Sequence, residues 1–223
     1  MSVPMSKFKW IKNPICVLLM SVIGSYRQTK TRRKQQRELM RALKLQPSKK
    51  IIVGSGGTKF AGWVPTDQEI LNLLVDRDWA KFFKPNSLDA ILAEHVWEHL
   101  TPGQAIIAAV HCFKFLKPDG YLRVAVPDGL HPDPIYIEWV KPDGNGPGSD
   151  DHKVLYNYRT LSALFENAGY KVRLLEWFDD QGKFHHQNWD VDGGFIMRST
   201  RFDSRNRDSP TAYTSLIIDA SKP

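Results

Sequence analysis

Cysteine is scarce. The 223 residues hold two, Cys16 and Cys112, and neither sits in a C-x-x-C pair. A disulfide framework is excluded, and a reducing, cytoplasmic setting is expected. A membrane-spanning run is also missing. The apolar stretch Ile15–Ile23, broken by Ser21, is far short of the ~20 residues that span a bilayer. Acids are nearly absent from the first 50 residues, which carry Glu38 against 13 Lys/Arg, a net of +12. Residues 51–223 carry 18 Lys/Arg and 23 acids, a net of −5. The body therefore lacks the positive charge that recruits phosphate, and it is not expected to bind nucleic acid. No internal repeat is visible.

What is present divides at about residue 45. Residues 1–45 form a basic N-terminal arm and helix. Residues 46–223 are long enough for one domain with a full core. The apolar and charged fractions, 42% and 25%, are those of a globular chain. In the arm, Lys7, Lys9 and Lys12 precede the apolar run, and Gly24 and Ser25 follow it. The plainest reading is a helix packed on the domain with a solvated basic segment after it. A second is an interfacial anchor. Phe8, Trp10 and the run would enter lipid, with Arg27, Lys30, Arg32, Arg33, Lys34 and Arg37 on anionic headgroups. Residues 7–37 are thus the candidate contact with a membrane or acidic surface. A secretory signal is the third. Met20 and Met40 leave a shorter start open.

Along the body, KKIIVGSGG reads as a buried strand entering a glycine turn. GWVPTD is a second strand, ILNLLV a third and SLDAILAE a fourth. Thr101 caps a helix that has Pro102 at its first position and Gln104 in a capping box. Its apolar face is expected at Ala105, Ile106, Ala109, Val110, Phe113 and Leu116. After a Lys117–Gly120 turn comes a fifth strand, YLRVAVPD. A long Pro/Gly/Asp-rich loop follows, and such loops are usually functional. Residues 158–168 form a helix stopped by Gly169. KVRLLEWF is a sixth strand and TSLIIDA the last. This order predicts an α/β fold with a largely parallel sheet, in which ligands bind beyond the carboxyl ends of the strands.

The chemistry starts at Gly54-Ser55-Gly56-Gly57. Glycines after a buried strand let the backbone turn and approach a ligand closely. Asp67 ends the next strand, where an acid can accept ribose hydroxyls. It follows Gly56 by only 11 residues, against about 20 in a nicotinamide-binding unit. There is too little chain for a full crossover helix, so the helix N-terminus that holds a pyrophosphate is missing. A nucleoside ligand without a pyrophosphate does not need it.

IIVGSGGTKFAGWVPTD, NSLDAILAEHVWEHL and FKFLKPDGYLRVAVPD resemble the successive motifs of class I S-adenosylmethionine-dependent methyltransferases. The resemblance is closest to a bacterial group known as predicted SAM-dependent methyltransferases. DDHKVLYNYRTLSALFENAGY, RSTRFDSRN and YTSLIIDA extend it over nearly everything after residue 45. It implies a Rossmann-like class I methyltransferase fold: a mostly parallel seven-stranded sheet with helices on both faces and a shortened first crossover. It implies that Gly54, Ser55 and Gly56 line the amino-acid and ribose part of S-adenosylmethionine, and that Asp67 holds the ribose. Asp78 and Trp79 would contact adenine at the end of the third strand, with Asp76 a rival. Glu94 and His95 would face the sulfonium and the acceptor. The shortened crossover puts some of the glycine-loop contacts in question.

An acceptor hydroxyl needs a base. His152, in D-D-H after the long loop, leads the candidates, with His131, Asp128, His95 and His99 behind it. Each could instead be structural. Arg198 and Arg205 are candidate acceptor-binding residues, for a small polar or saccharide-like molecule. Two other classes compete. His95-Val96-Trp97-Glu98-His99 matches the H-x-x-E-H zinc-hydrolase pattern, but it straddles a strand exit and a turn, so no metal is expected. A non-catalytic cofactor-fold binder tethered by the arm is the other, and it would need neither the glycine turn nor Asp67. Oligomeric state is not legible.

Overall fold

The computed structural model describes residues 31–209 and 211–223. The readings placed on residues 1–30, including the apolar run and most of the 7–37 contact, lie outside the described residues. No helix among those described is long and apolar enough to cross a membrane. The chain divides into two compact units, Met1–Arg41 and Ala42–Pro223. Residues 31–45 are helical (α1).

The second unit is built on one seven-stranded sheet. Its strands are β1 (Lys50–Ile52), β2 (Val64–Pro65), β3 (Leu88–Glu94), β4 (Leu116–Pro127), β5 (Lys171–Phe178), β6 (Phe184–His186) and β7 (Ser215–Ser221). They lie in the order β2-β1-β3-β4-β7-β5-β6. β2, β1, β3 and β4 are mutually parallel. β7 inserts antiparallel between β4 and β5, and β6 closes a hairpin on β5. The chain moves outward from β1 to β2 and then returns to β3 on the other side of β1. This reversal opens a crevice at the carboxyl ends of β1 and β3. The fold is thus the Rossmann-like α/β arrangement expected, and no helix separates β1 from β2.

The helices are α2 (Asp76–Ala80), α3 (Pro102–Phe115), α4 (Pro134–Val140) and α5 (Tyr158–Asn167). Thr101 and Gln104 form the full capping box on α3, with Pro102 at its start. Gly169 ends α5 at φ +96, a conformation that favours glycine. Trp79 of α2 stacks on Phe115 of α3, Trp97 before α3 packs on Phe165 of α5, and Phe113 of α3 meets Tyr170 just beyond α5. The opposite face of the sheet holds a core of Ile52, Ala90, Leu92, Ala125 and Ile217, closed by Trp63, Trp189 and Ile196. Among the described residues, no helical residue enters that cluster. Trp63, Trp189 and Ile196, which close it, lie in irregular chain.

Three elements differ from expectation. ILNLLV is not a strand. The N–H groups of Ile70 and Leu71 donate back to the Asp67 carbonyl, and Asn72 Oδ1 accepts the Leu74 N–H at 2.9 Å. These local bonds coil the chain, with Leu71 and Leu73 still buried. β6 makes up the seventh strand instead. The buried face of α3 is Ala105, Ala108, Ala109, Cys112 and Phe115, while Ile106 and Val110 are exposed. Small residues at that face let the helix sit close to its neighbours. The Lys117–Gly120 turn lies inside β4 as a bulge, with Asp119 at φ +62 and a register shift against β3.

Candidate functional site

Three adjoining clefts open at the carboxyl ends of β1 and β3. The central one, about 310 Å³, is lined by Gly54, Ser55, Gly56, Glu94, His95 and Arg198. A second, about 480 Å³, is lined by Leu71, Asn72, Leu73, Leu74 and Val96. The third, about 570 Å³, is walled by Trp139, Phe202, Tyr213 and Met197, with Arg198 and Arg205 at its polar side. His95 borders all three. His152, Pro147, Met197 and Arg198 are shared by the central and third clefts.

The glycine turn forms the floor of the central cleft. Gly54 has φ +57, and a Cβ there would lie 2.6 Å from Val96 Cγ2. Only glycine lets the β1 exit and the β3 exit close together. Asp67 braces the turn. Its carboxylate accepts the Gly56 N–H at 2.9 Å and the Ser55 hydroxyl at 3.0 and 3.1 Å. Glu94 likewise holds a wall. It accepts the backbone N–H groups of Met197 at 3.2 Å and Arg198 at 2.8 Å. A carboxylate at the end of β3 thereby fixes the segment between the central and third clefts.

His95 leaves β3 at φ +55, uncommon for a non-glycine residue. Its Nε2 is 2.9 Å from Ser215 Oγ on β7. Its Nδ1 is 3.1 Å from Glu98 Oε1, yet neither Glu98 oxygen has a hydrogen-bonding donor. The approach is thus close but off the line of a good hydrogen bond. Glu98 is buried (1% exposed) in a 3₁₀ turn, Trp97–His99. H-x-x-E-H therefore does straddle a strand exit and a turn, and its two histidines share no helical face. His152 Nδ1 is 2.7 Å from the Val140 carbonyl. That partner fixes the Nδ1–H tautomer and leaves the lone pair on Nε2.

The other candidates lie apart from these clefts. Asp128 is fully buried, and its carboxylate accepts the N–H groups of Leu130 at 3.0 Å and Phe178 at 2.8 Å. It ties the end of β4 to β5, and burial pushes its pKa up to about 6. His131 stacks on Tyr136; its Nδ1 accepts the Asp133 N–H and its Nε2 meets the Thr211 carbonyl. Burial lowers its pKa. Both read as structural.

Asp78 and Trp79 sit on α2, since no third strand delivers them. Trp79 is wholly buried and donates from Nε1 to the Leu73 carbonyl at 3.3 Å; Asp78 is ion-paired with Lys81. Neither borders the clefts. The Leu71–Leu74 coil before α2 does. Asp76, the rival, pairs with Lys114 at 2.6 Å.

Arg205 lies against the Tyr213 ring and pairs with Asp203 at 2.6 and 2.8 Å. On the β5–β6 hairpin, His185 Nε2 bonds Asp179 at 2.6 Å. Sequence reasoning missed Trp139, Phe202 and Tyr213. They come from α4 and from irregular chain, where no periodicity marks an inward position.

No family model matches the chain, and no curated protein does. Solved structures do. A SAM-dependent methyltransferase of Thermotoga maritima shares 15% identity over 91% of this chain and 96% of its own, with a TM-score of 0.49. One from Archaeoglobus fulgidus shares 15% over 86% and 94%, at 0.44. One from Methanosarcina mazei shares 11% over 72% and 67%, at 0.40. At such values the functional assignment rests on the chemistry of the site itself.

Proposed function

We propose that the chain transfers a methyl group from S-adenosylmethionine to a small polar acceptor of saccharide type. The observation that carries this reading is the meeting of three clefts at His95, at the point where the sheet order reverses. Ligands bind at such points. With no helix between β1 and β2, the site lacks a pyrophosphate anchor and suits a nucleoside carrying an amino acid.

The residues present fit that ligand. Gly56 leaves open space where a side chain would stand, with nothing within 4 Å of an ideal Cβ. Gly54, Ser55 and Gly56 would hold the amino-acid end. Asp67 Oδ2 takes only the shared Ser55 hydroxyl and keeps capacity for a ribose hydroxyl. The Leu71–Leu74 coil and Val96 offer an apolar slot for the base. When bound, the sulfonium supplies an already activated methyl group.

The protein's own work is alignment, exclusion of water and proton removal. Trp139, Phe202 and Tyr213 give a flat apolar wall, and Arg198 and Arg205 give polar anchors. That mixture suits a ring bearing hydroxyls or an acidic group. His95 borders donor and acceptor clefts together and is the base in this reading. Glu94 positions Arg198 against both.

Calorimetry tests the proposal. Wild type should bind S-adenosylhomocysteine, and Asp67→Ala should weaken it at least ~10-fold through the lost ribose and loop contacts. A wild type that binds NAD and ignores S-adenosylhomocysteine would overturn it.

A further inference from the structure

We propose that Glu98, His99 and His152 form a binding site for a divalent transition-metal ion of the zinc class. This goes beyond methyl transfer and does not depend on it. One ligand atom from each residue lies within 4.8 Å of the other two. Both histidines line the central cleft.

The case rests on polar groups that the fold leaves unsatisfied. Glu98 is 1% exposed, and both its oxygens lack a hydrogen-bond donor. His99 Nδ1 is buried without a hydrogen bond as well; Asp151 approaches it at 3.3 Å but is not aligned with it. A buried carboxylate is normally paired, hydrogen-bonded or bound to a metal. One cation would satisfy Glu98 Oε2 and His99 Nδ1 together. His152 is prepared for this. Its Nδ1–H is spent on the Val140 carbonyl at 2.7 Å, which is the outer-shell arrangement of a metal-ligating imidazole.

The donor set selects the metal. Two imidazoles and a carboxylate suit zinc, cobalt or iron(II) over magnesium or calcium. Around a tetrahedral zinc with bonds of ~2.0–2.1 Å, donors stand about 3.3 Å apart, so binding draws the widest of these separations, at most 4.8 Å, inward. Three protein ligands leave a fourth position for water or an acceptor oxygen. His95 is not a ligand here: its Nε2 is held by Ser215. Glu98 can keep Oε1 toward His95 and offer Oε2 to the ion.

The test is a Co²⁺ titration of the chelator-stripped full chain without nucleoside, read by visible d–d absorption and by displacement with Zn²⁺. One equivalent should bind. Glu98→Gln and His152→Asn should each weaken Co²⁺ binding at least ~10-fold. If Glu98→Gln fails to fold, His152→Asn, at the end of a loop, decides alone. Absence of a stoichiometric d–d band overturns the proposal, and so does wild-type Co²⁺ affinity in His152→Asn.

Discussion

His95 carries the largest share of the functional reading, and its backbone sets how it can be tested. At φ +55 most replacements add strain, but asparagine tolerates the left-handed region. His95→Asn should keep the fold and bind S-adenosylhomocysteine within a few-fold of wild type. Methyl transfer should fall about 10²–10⁴-fold if the imidazole is the base. An equal loss of both would make it a cofactor contact only.

Asp128 gives a second test at this scale. Its folded-state pKa of about 6 stands above the ordinary 3.8, because burial outweighs its two N–H donors. A group whose pKa rises on folding stabilises most below its unfolded value and loses that contribution as pH rises through the folded one. Two units correspond to roughly 3 kcal/mol. The stability advantage of wild type over Asp128→Asn, from urea melts, should shrink by up to that amount between pH 4 and pH 7. A constant difference would mean the carboxyl is not perturbed. At this scale the letters of the site were legible, since His95, His152, Gly54 and Asp67 stood out. What they do was less so: the burial of Glu98 depends on a 3₁₀ turn that no sequence pattern announces.

Elements were legible where local chemistry and burial agree. The start of α3 is one. Thr101, Pro102 and Gln104 are consecutive signals, and each does its expected work. Thr101→Ala should cost about 1 kcal/mol in urea denaturation without changing cofactor affinity. A loss below ~0.3 kcal/mol would mean that packing of the helix hides the cap. ILNLLV shows the opposite case. Its apolar letters are truthful about burial, but Asp67 and Asn72 supply turn bonds that compete with a ladder. Asp78 and Trp79 were misplaced for that reason alone. The buried face of α3 was read in part: Ala105 and Ala109 lie on it as expected, but Ala108 and Cys112 pack there while the larger Ile106 and Val110 are exposed.

Across the whole molecule, Arg123 joins parts that are distant in sequence. It makes a two-pronged pair with Asp219 of β7 at 2.8 and 3.0 Å, and donates to the carbonyls of Asp190 and Gly194. Its side chain is 3% exposed. Arg173 shares Asp219 at 3.0 Å. Removing one partner of such a buried pair leaves the other charge stranded. Arg123→Met should therefore destabilise by ~3–5 kcal/mol in guanidinium unfolding; a neutral result would mean that Arg173 alone compensates Asp219. The parallel sheet was readable from the alternation of strands and helices. The antiparallel insertion of β7 was not, because pairing order leaves no mark on a strand's own residues.

That insertion has a consequence for how the protein is made. Arg123 and Asp219 are 96 residues apart, and β7 sits between β4 and β5 rather than at an edge. During synthesis both neighbours leave the ribosome before the strand that joins them. Until it arrives, two sheet fragments present bare, apolar hydrogen-bonding edges to the cell. Such a nascent chain should depend on chaperone protection until β7 emerges, and chains truncated before Ser215 should aggregate rather than fold.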